Sequence, residues 1–361
     1  MSLKRIAELA GTSVSTVSRV LHSPGHRCNQ SGLERRIWEI AREQNYIPNP
    51  AARQLRKGNE IKATPFTVDV FLTRFNSMEK DPFFLELFHF LEEELMEHQC
   101  LLGEVLNVPD FMELERRKQE TGGVPYRSSE NVESERIRHM TGYIEQKKNT
   151  GLMIFGKCPT ELIATLRKRY KYMIGIDRNP TEYAYDEVIC NGAIAAGQAM
   201  EYLISLGHTN IAYIGDCTYE SRYIGYYQTL LNHKIPLRYD NVFQTGQTEQ
   251  EGYRIMEDIL QQAIRPSAIF CANDCTAVGV LRALREKKRK GYLPSVISID
   301  DIEEAQRTTP MLTTIRIPKQ EMVHLAVSLL LDRKNGGHQE AIRVELPCRL
   351  MERESCTCQC R

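Results

Sequence analysis

The chain has 361 residues, enough for two or three domains that each bury a core, and it contains 47 basic and 47 acidic residues. The charge is uneven, because residues 1–58 hold ten Lys/Arg against four Asp/Glu, while the remainder carries a net charge of −6. A small basic head on a larger acidic body is typical of a nucleic-acid-binding protein with a separate regulatory part. No apolar run could span a bilayer and no signal peptide is evident, so we expect a cytoplasmic protein.

Residues 3–21 predict two short helices joined by a tight turn. The first helix carries a narrow apolar stripe, made of Ile6, Ala7, Leu9 and Ala10. Gly11 supplies the left-handed backbone that the turn needs, and Ser13 can cap the second helix. The inward residues of the second helix are Val17, Val20 and Leu21. The small residue, turn and core anchor at Ala7, Gly11 and Val17 have the spacing of a helix-turn-helix, although a surface helical hairpin is the alternative.

The outward face of the second helix carries short polar groups and one guanidinium: Ser15, Thr16, Ser18 and Arg19. Such a face suits a DNA groove. A third helix is predicted from about residue 32 to 44, where Ser31 and Glu34 form a capping box and Leu33, Ile37, Ile40 and Ala41 mark the buried stripe. Three helices in fewer than fifty residues predict a compact all-α domain.

A basic segment follows at residues 49–58. Pro50 and Gly58 stand where a helix would begin and end, but the piece is too short to be stable alone. Leu55 lies among Arg53, Arg56 and Lys57. The segment is either a basic linker or a conditional helix that folds on DNA and inserts its leucine into the minor groove.

Strands and helices alternate from about residue 61 onward. Apolar or β-rich runs predict strands at 66–72, 100–106, 152–155, 173–176, 211–214, 268–271 and 296–299. Amphipathic stretches predict helices at 84–98, 161–170, 193–206, 222–232, 251–262 and 276–287. This alternation is typical of parallel sheets flanked by helices, and two such sheets fit the length. Residues 116–146 break the rhythm with a charged stretch that we interpret as a surface insertion.

The eleven cysteines fall into two groups. Seven are scattered singly through apparent core segments, which indicates buried thiols in a reducing compartment. The others are Cys348, Cys356, Cys358 and Cys360. The one-residue gaps of the last three are shorter than structural zinc ligands use, so we expect a frayed tail of reduced thiols, with a soft metal as the alternative.

Several motifs recur in an order that resembles the LacI/GalR family of bacterial transcriptional regulators. The head motifs are Lys-Arg-Ile-Ala-Glu-Leu-Ala-Gly at 4–11, Ser-Thr-Val-Ser-Arg-Val-Leu at 15–21, Asn-Tyr-Ile-Pro-Asn at 45–49 and the stretch at 52–55. The body motifs lie at 81–84, 176–178, 206–212, 222–226, 269–274, 298–301, 312–315 and 326–330. Any one of these motifs is weak evidence, but their shared order covers the whole chain.

The resemblance implies a small all-α helix-turn-helix head plus an α/β periplasmic-binding-protein-like core of two doubly wound subdomains. The implied divisions are a DNA-binding domain at 1–48, a hinge helix and linker at 49–60, and an effector-binding and dimerisation domain at 61–361. Within the last, subdomain one takes about 61–178 and 312–340, and subdomain two takes 179–311 and 341–361. Asn191 departs from the family, which typically has aspartate there.

The resemblance also implies which head residues meet DNA. Val14, Ser15 and Arg19 occupy the family's base-reading positions, and Arg19 can donate two hydrogen bonds to a guanine edge. Ser13, Thr16 and Ser18 more naturally meet phosphates. Hinge residues Arg53, Leu55 and Arg56 complete the expected contacts. One helix-turn-helix covers half a site, so we expect a homodimer on double-stranded, near-palindromic operator DNA.

For the effector, Arg222, Asn273 and Asp300 match ligand-binding positions of the family. A guanidinium, an amide and a carboxylate can surround vicinal hydroxyls, as sugars require. Phe83 or Phe84 could stack on a sugar ring, with core packing as the alternative, and a structural turn is the alternative role for Asp300 and Asp301. Gln247 stands where an aromatic residue is common, which makes a purely apolar ring a poorer ligand.

The predicted function is therefore sequence-specific transcriptional regulation, by repression, under a sugar-like effector. A nucleobase or nucleoside effector is the first alternative, and a sugar-binding protein without regulatory DNA binding is the second. The sequence contains no Walker loop, dinucleotide-binding glycine motif, zinc-protease motif or nucleophile elbow. We accordingly expect no enzyme activity, no cofactor and no metal.

Overall fold

The computed structural model contains two units, residues 1–65 and 66–361. The described residues are 3–14, 16–17, 20, 33, 36–37, 40, 65–73, 81–107, 150–158, 160–177, 183–218, 220–287 and 291–359. The predicted hinge at 49–60 and the insertion at 116–146 lie outside them. None of the helices in these ranges is long and apolar enough to cross a membrane.

The head unit contains helix α1 (Leu3–Ala10) and helical residues at 14, 16–17, 20, 33, 36–37 and 40. Its core joins all three predicted helices: Ile6, Ala7, Ala10, Val17, Val20 and Ile37 are buried, with Leu33 and Ile40 packed against them. Leu9 is more than a third exposed, so its assignment to the buried stripe was wrong. At 100° per residue Leu9 lies roughly 107° from the middle of the buried face formed by Ile6, Ala7 and Ala10, which places it at the edge of that face. Leu21 and Ala41 lie outside the described residues.

The larger unit contains two six-stranded sheets. The first has the order β11-β5-β4-β3-β1-β2 and is parallel throughout, and the second has the order β12-β10-β9-β8-β6-β7 with only the β10–β12 pair antiparallel. The strands are β1 (Thr67–Leu72), β2 (Leu101–Asn107), β3 (Thr150–Phe155), β4 (Tyr172–Ile176), β5 (Asp186–Cys190), β6 (Ile211–Gly215), β7 (Val242–Gln244), β8 (Ala268–Cys271), β9 (Ser295–Asp300), β10 (Thr313–Arg316), β11 (Arg343–Leu346) and β12 (Arg349–Met351).

The helices of the larger unit are α2 (Pro82–Glu97), α3 (Thr160–Arg169), α4 (Gly192–Ser205), α5 (Ser221–Asn232), α6 (Glu249–Gln261), α7 (Asp274–Lys287) and α8 (Lys319–Lys334). Helices α2 and α8 pack together beside the first sheet, and α3 joins a second cluster that includes Phe71, Leu152 and Ile154. Alternate residues of a strand point to opposite faces, so helices cover both faces of that sheet. On the second sheet, α4 packs beside α5 and α6 beside α7.

Local sequence explains where several of these helices begin. Asp81 accepts hydrogen bonds from the backbone of Phe83 and Phe84 at 3.1 and 3.3 Å, and Pro82 occupies the first turn of α2. Asn191 caps α4 in the same way, with its Oδ1 3.0 Å from the Ala193 nitrogen. The amide oxygen therefore supplies the cap that an aspartate would supply.

The chain crosses between the subdomains later than predicted at all three points. Residues 186–190 form β5 of the first sheet, so the first crossing follows Cys190 and not 178. The second lies between β10 and α8 and not near 311, and the third lies between β11 and β12 and not near 341. These pairings correct the predicted subdomain bounds. The predicted bounds were wrong because a short strand at a crossing gives no local signal of which sheet it joins.

The cysteine-rich end is docked through residue 359, which contradicts the expected frayed tail. The Thr357 nitrogen donates to Ser295 Oγ at 2.9 Å, and the Gln359 nitrogen donates to the Leu206 carbonyl at 2.9 Å. His208 lies 3.0 Å from the Thr357 carbonyl. These backbone bonds hold the segment along subdomain two whatever its cysteines do. Within the described ranges, no cluster of three His, Cys, Asp or Glu side chains could hold a metal ion.

Candidate functional site

The head presents a capped turn and an exposed second-helix start. Gly11 has φ +66°, as the predicted turn requires, and Ser13 Oγ accepts from the Thr16 nitrogen at 3.1 Å. Ser13 and Val14 are exposed and Thr16 is half-buried. The Ser13 and Thr16 hydroxyls are also 2.8 Å apart. Ser13 therefore contacts both the backbone and the side chain of Thr16 at the start of the helix, while Ser13 itself stays exposed. The predicted DNA-contacting residues Ser15, Ser18, Arg19, Arg53, Leu55 and Arg56 lie outside the described residues.

The candidate effector residues stand where strands of the larger unit end or just beyond. Arg222 follows β6, Gln247 follows β7, Asn273 follows β8 and Asp300 ends β9. The carboxyl ends of parallel strands lie at one edge of a sheet, which is where α/β proteins bind ligands. The fold therefore brings residues from distant parts of the sequence to the same edge of the second sheet.

Three of the predicted residues form one hydrogen-bonded set. The Arg222 guanidinium donates through Nη2 to Gln247 Oε1 at 2.7 Å, and Asn273 Nδ2 donates to the Gln247 backbone carbonyl at 3.0 Å. Arg222 Nη1 also donates to the Ala272 carbonyl at 2.5 Å. The Asn273 oxygen accepts from the nitrogen and hydroxyl of Thr276, at 3.1 and 2.6 Å. Arg222, Gln247 and Asn273 can thus act as a single recognition unit.

Phe83 and Phe84 do not lie on an open surface. Both are at least 95% buried, and Phe84 packs against Phe155 with ring centroids 5.9 Å apart. Core packing, the alternative weighed for them, is the role this structure shows. The Phe83 ring also faces the Lys319 ammonium, whose Nζ is 5.4 Å from the ring centroid.

Asp300 and Asp301 form a strained turn at the end of β9. Their φ values are +126° and +52°, a region that residues with a Cβ rarely occupy. The Asp301 carboxylate accepts from Arg316 Nε at 2.6 Å and Arg353 Nη2 at 2.5 Å, so its charge is committed to structural ion pairs. The structural turn weighed against a ligand role therefore describes Asp301.

Sequence reasoning missed Lys319, which joins the two subdomains. Its buried ammonium donates to the Asp300 and Asp301 carbonyls at 2.7 and 2.9 Å, and it pairs with Glu86 Oε2 at 2.9 Å. Glu86 belongs to α2, and its other oxygen accepts from the Glu303 nitrogen at 2.9 Å. A lone lysine after Ile-Pro carries no local signal of this role, because its partners are backbone carbonyls more than a dozen residues away.

Asp274 is a second residue that the sequence did not single out. It is fully buried and accepts from the Ser298 and Thr314 hydroxyls and the Ile302 nitrogen, at 2.5, 2.6 and 2.9 Å. Burial raises the pKa of this carboxyl above its ordinary value, and these hydrogen bonds oppose the rise. Asp274 therefore ties α7 to β9, to β10 and to the segment after the strained turn.

Comparison with known proteins places both units. The family described as bacterial regulatory proteins, lacI family, matches residues 2–49, and the periplasmic binding protein-like domain matches residues 200–356. The HTH-type transcriptional repressor MelR of Bacillus subtilis (strain 168) is 26% identical, over 99% of this chain and 97% of its own. The HTH-type transcriptional repressor PurR of Photorhabdus laumondii is 28% identical, over 98% and 96%.

Solved structures share the fold over the same span. A complex of the transcriptional regulator CelR with cellobiose has a TM-score of 0.65 at 22% identity and covers 98% of this chain and 99% of its own. The lac repressor dimer bound to operator and the anti-inducer ONPF has a TM-score of 0.62 at 20% identity, with 98% of each chain covered. The helix-turn-helix core, the two sheets and these matches agree: the chain is a DNA-binding transcriptional regulator that combines a helix-turn-helix domain of the lacI family with a periplasmic-binding-protein-like domain.

Proposed function

We propose that this regulator represses transcription as a homodimer on a near-palindromic operator, and that a small sugar or glycoside bound between its subdomains changes its operator affinity. The observation that carries the effector proposal is the hydrogen-bonded set of Arg222, Gln247 and Asn273 at the edge of the second sheet. A guanidinium and two amides offer paired donors and acceptors, which suit vicinal hydroxyls. CelR, which has a similar fold, was solved in complex with cellobiose, and this is consistent with a sugar effector.

The second candidate effector is a nucleobase or nucleoside. Amide and guanidinium groups bind the edges of a base as readily as hydroxyls, and Gln247 and Asn273 each carry both a donor and an acceptor. The relatives include repressors with different names, MelR and PurR, so we keep this second class of effector as a candidate. The remaining alternative, a sugar-binding protein without regulatory DNA binding, does not fit the lacI-family match over residues 2–49.

Control requires that the effector bind one arrangement of the subdomains better than another. Lys319 supports such control, since one ammonium contacts the Asp300–Asp301 turn, where β9 of subdomain two ends, and Glu86 of subdomain one. We further propose a cytoplasmic regulator without enzymatic activity, because its relatives are named as transcriptional repressors and a repressor must reach DNA inside the cell.

The DNA side is tested by selecting binding sites from genomic fragments with the full-length protein. We expect an inverted repeat, bound with steep salt dependence because phosphate contacts dominate the affinity. Arg19→Ala should weaken operator binding more than non-specific binding, and Leu55→Ala should do the same if the hinge inserts its leucine. Equal losses on both kinds of DNA would contradict base reading by Arg19 and reduce the hinge to a charged linker.

The effector side is tested by a thermal-shift screen of monosaccharides, disaccharides, glycosides and nucleosides. A true effector raises the melting temperature because it binds the folded state alone. Arg222→Ala should remove that rise, and Ile194→Ala, at an exposed residue of α4, should keep it. Stabilisation by nucleosides and by no carbohydrate would overturn the sugar proposal and leave the regulator assignment intact.

A further inference from the structure

The charge of Arg222 is already balanced inside the protein. Its side chain is completely buried, and each of its three nitrogens has a partner. Nε donates to Glu220 Oε1 at 2.7 Å, while Nη1 and Nη2 donate to the oxygens of Ala272 and Gln247. These bonds use three of the five guanidinium N–H groups. A ligand that reaches the buried guanidinium therefore meets an ion pair of zero net charge, and a covering group such as the Gln247 amide must first move aside.

Glu220 is fixed in place by a second task. Its Oε2 accepts from the Arg222 backbone nitrogen at 3.1 Å, which caps α5, while its Oε1 holds the Arg222 side chain. The carboxylate also carries the negative charge that the positive end of a helix favours. Glu220 therefore remains beside Arg222 whether or not the site is occupied.

Gln247 holds the position that a ligand oxygen would take. Its Oε1 lies 2.7 Å from Arg222 Nη2, and its backbone is kept in place by Asn273 and has φ +64°. An amide oxygen is an uncharged acceptor, so the group that satisfies Arg222 here is chemically close to a hydroxyl or carbonyl. The side chain can rotate away while the backbone stays, because the Asn273 bond is to the backbone oxygen.

The helix starts around this site carry carboxylates of the chain itself. Asp81 caps α2, Glu220 caps α5, and Asp274 lies in the first turn of α7. Helix N-termini are favoured anion sites, and here the protein supplies the anion. Burial is the main cause of the raised pKa of the half-buried thiol of Cys275, one residue into α7. The next causes are four negative charges, those of Asp81, Asp300, Asp274 and Glu304. The surroundings of that thiol are therefore acidic.

We propose that Glu220 and Gln247 make this site selective for an uncharged effector, whose hydroxyl or carbonyl oxygen displaces the Gln247 amide from Arg222. A phosphate or carboxylate in the same place lies beside the Glu220 carboxylate, which already offsets the charge of Arg222, so this pair has no net positive charge to attract it. The inference rests on the proposed effector site and narrows its ligand to neutral sugars or nucleosides, excluding their phosphates.

The first test uses inorganic phosphate and needs no identified effector. Melting temperatures of the full-length protein are measured in sodium phosphate against sodium chloride at equal ionic strength. We expect no specific stabilisation of the wild type. In Glu220→Gln, which removes the charge and keeps one acceptor oxygen beside Arg222, phosphate should bind about tenfold or more tightly than in the wild type. The matched control Glu201→Gln removes the charge of an exposed residue of α4 that pairs with His233 at the end of α5, and it should behave like wild type.

Two outcomes of that test would overturn the proposal. One is specific stabilisation of the wild type by phosphate that Arg222→Ala removes. The other is a response of Glu220→Gln that matches Glu201→Gln, which would show that the Glu220 charge excludes nothing.

The second test pairs each neutral compound with its phosphate, for example ribose with ribose 5-phosphate and adenosine with its 5′-monophosphate. The neutral member should bind about tenfold or more tightly. Gln247→Ala should strengthen that binding by removing the internal competitor, and Gln247→Glu should abolish it by locking Arg222 in an ion pair. Tighter binding of the phosphates overturns the inference. The protein could bind operator DNA and yet bind none of these compounds and none from the wider screen. That result would contradict effector control, and the phosphate test would still decide whether the site rejects anions.

Discussion

The two subdomains bring different chemistry to the edges where their strands end. Subdomain two offers polar side chains bound to each other, with Arg222, Gln247 and Asn273 in one set. Subdomain one offers Phe83 and Phe84, which are buried in its own core. A hydrogen bond between two side chains can be exchanged for one to a ligand at little cost, whereas withdrawing a buried ring leaves a cavity. Recognition is therefore expected to lie with subdomain two and structural support with subdomain one.

Removal of the Phe84 ring has the largest expected effect, and it tests whether subdomain one supplies structural support. We expect Phe84→Ala to lower the free energy of unfolding by about 3–5 kcal/mol, as large-to-small core substitutions do. Phe90→Ala, at a half-buried residue of the same helix, is the matched control and should cost less than half as much. Chemical denaturation of both variants measures the difference. A cost for Phe84→Ala no larger than that of Phe90→Ala would mean that this ring is available for a ligand.

The link between the two regions is tested at Lys319. Lys319→Met keeps the length of the side chain but leaves Glu86 and the carbonyls of the Asp300–Asp301 turn without their cation. We expect a loss of about 3 kcal/mol in unfolding free energy, because removing one partner strands a partly buried charge. Lys168→Met, at an exposed residue of α3, should change stability by less than about 0.5 kcal/mol. A Lys319 variant as stable as this control would show that the ammonium does not hold the subdomains together.

The buried carboxyl of Asp274 makes the support of the polar region depend on pH. Its pKa is raised in the folded protein, so between that value and the ordinary 3.8 the folded state holds a proton that the unfolded state lacks. Its contribution to stability therefore grows as the pH falls through that window, by at most about 1.4 kcal/mol per pH unit.

The difference in unfolding free energy between the wild type and Asp274→Asn, measured from pH 7 to pH 4, isolates this contribution from the other carboxyls. The difference should shift in favour of the wild type on acidification. A constant difference would show that Asp274 has an ordinary pKa.

The smallest expected effect is at Asn191, where the chain first crosses from subdomain one to subdomain two. Asn191→Ala removes the cap of α4 and should cost about 1 kcal/mol, while Asn191→Asp keeps the acceptor and should be neutral or slightly stabilising. Thermal unfolding of the pair gives the comparison. If aspartate destabilised as much as alanine, the cap would depend on the amide nitrogen and not on the oxygen.

The regular elements were largely predictable because their signals are local. All six helices expected in the body appear, with bounds within two residues, and the seven expected strands appear as well. Helix α8 and the strands β5, β7, β10, β11 and β12 were not predicted. Strand β5 was missed because Asp186 and Glu187 interrupt its apolar pattern. Asp186 is buried only because Arg333 and His338 neutralise it at 2.6 and 2.9 Å from 147 and 152 residues away. Such long-range compensation leaves no trace in the local sequence.

The site was predictable in part for the same reason. Arg222 and Asn273 follow strands whose positions the hydrophobic pattern gave, and the resemblance supplied their roles. Gln247 follows β7, a strand that this pattern did not predict. Glu220 and Lys319 were missed because their importance comes from what they contact. Glu220 acts only through the buried guanidinium beside it, and Lys319 binds carbonyls that are exposed by a strained turn at Asp300 and Asp301.

The most direct test of effector control is an operator titration with and without the compound that most stabilises the protein. Fluorescence anisotropy with a selected inverted-repeat duplex gives the affinity at fixed salt. Effector control predicts that the compound changes operator affinity about tenfold or more in the wild type. In Arg222→Ala the affinity without compound should be kept and the change lost. A compound that binds the protein without altering operator affinity, or that acts equally on Arg222→Ala, would contradict it.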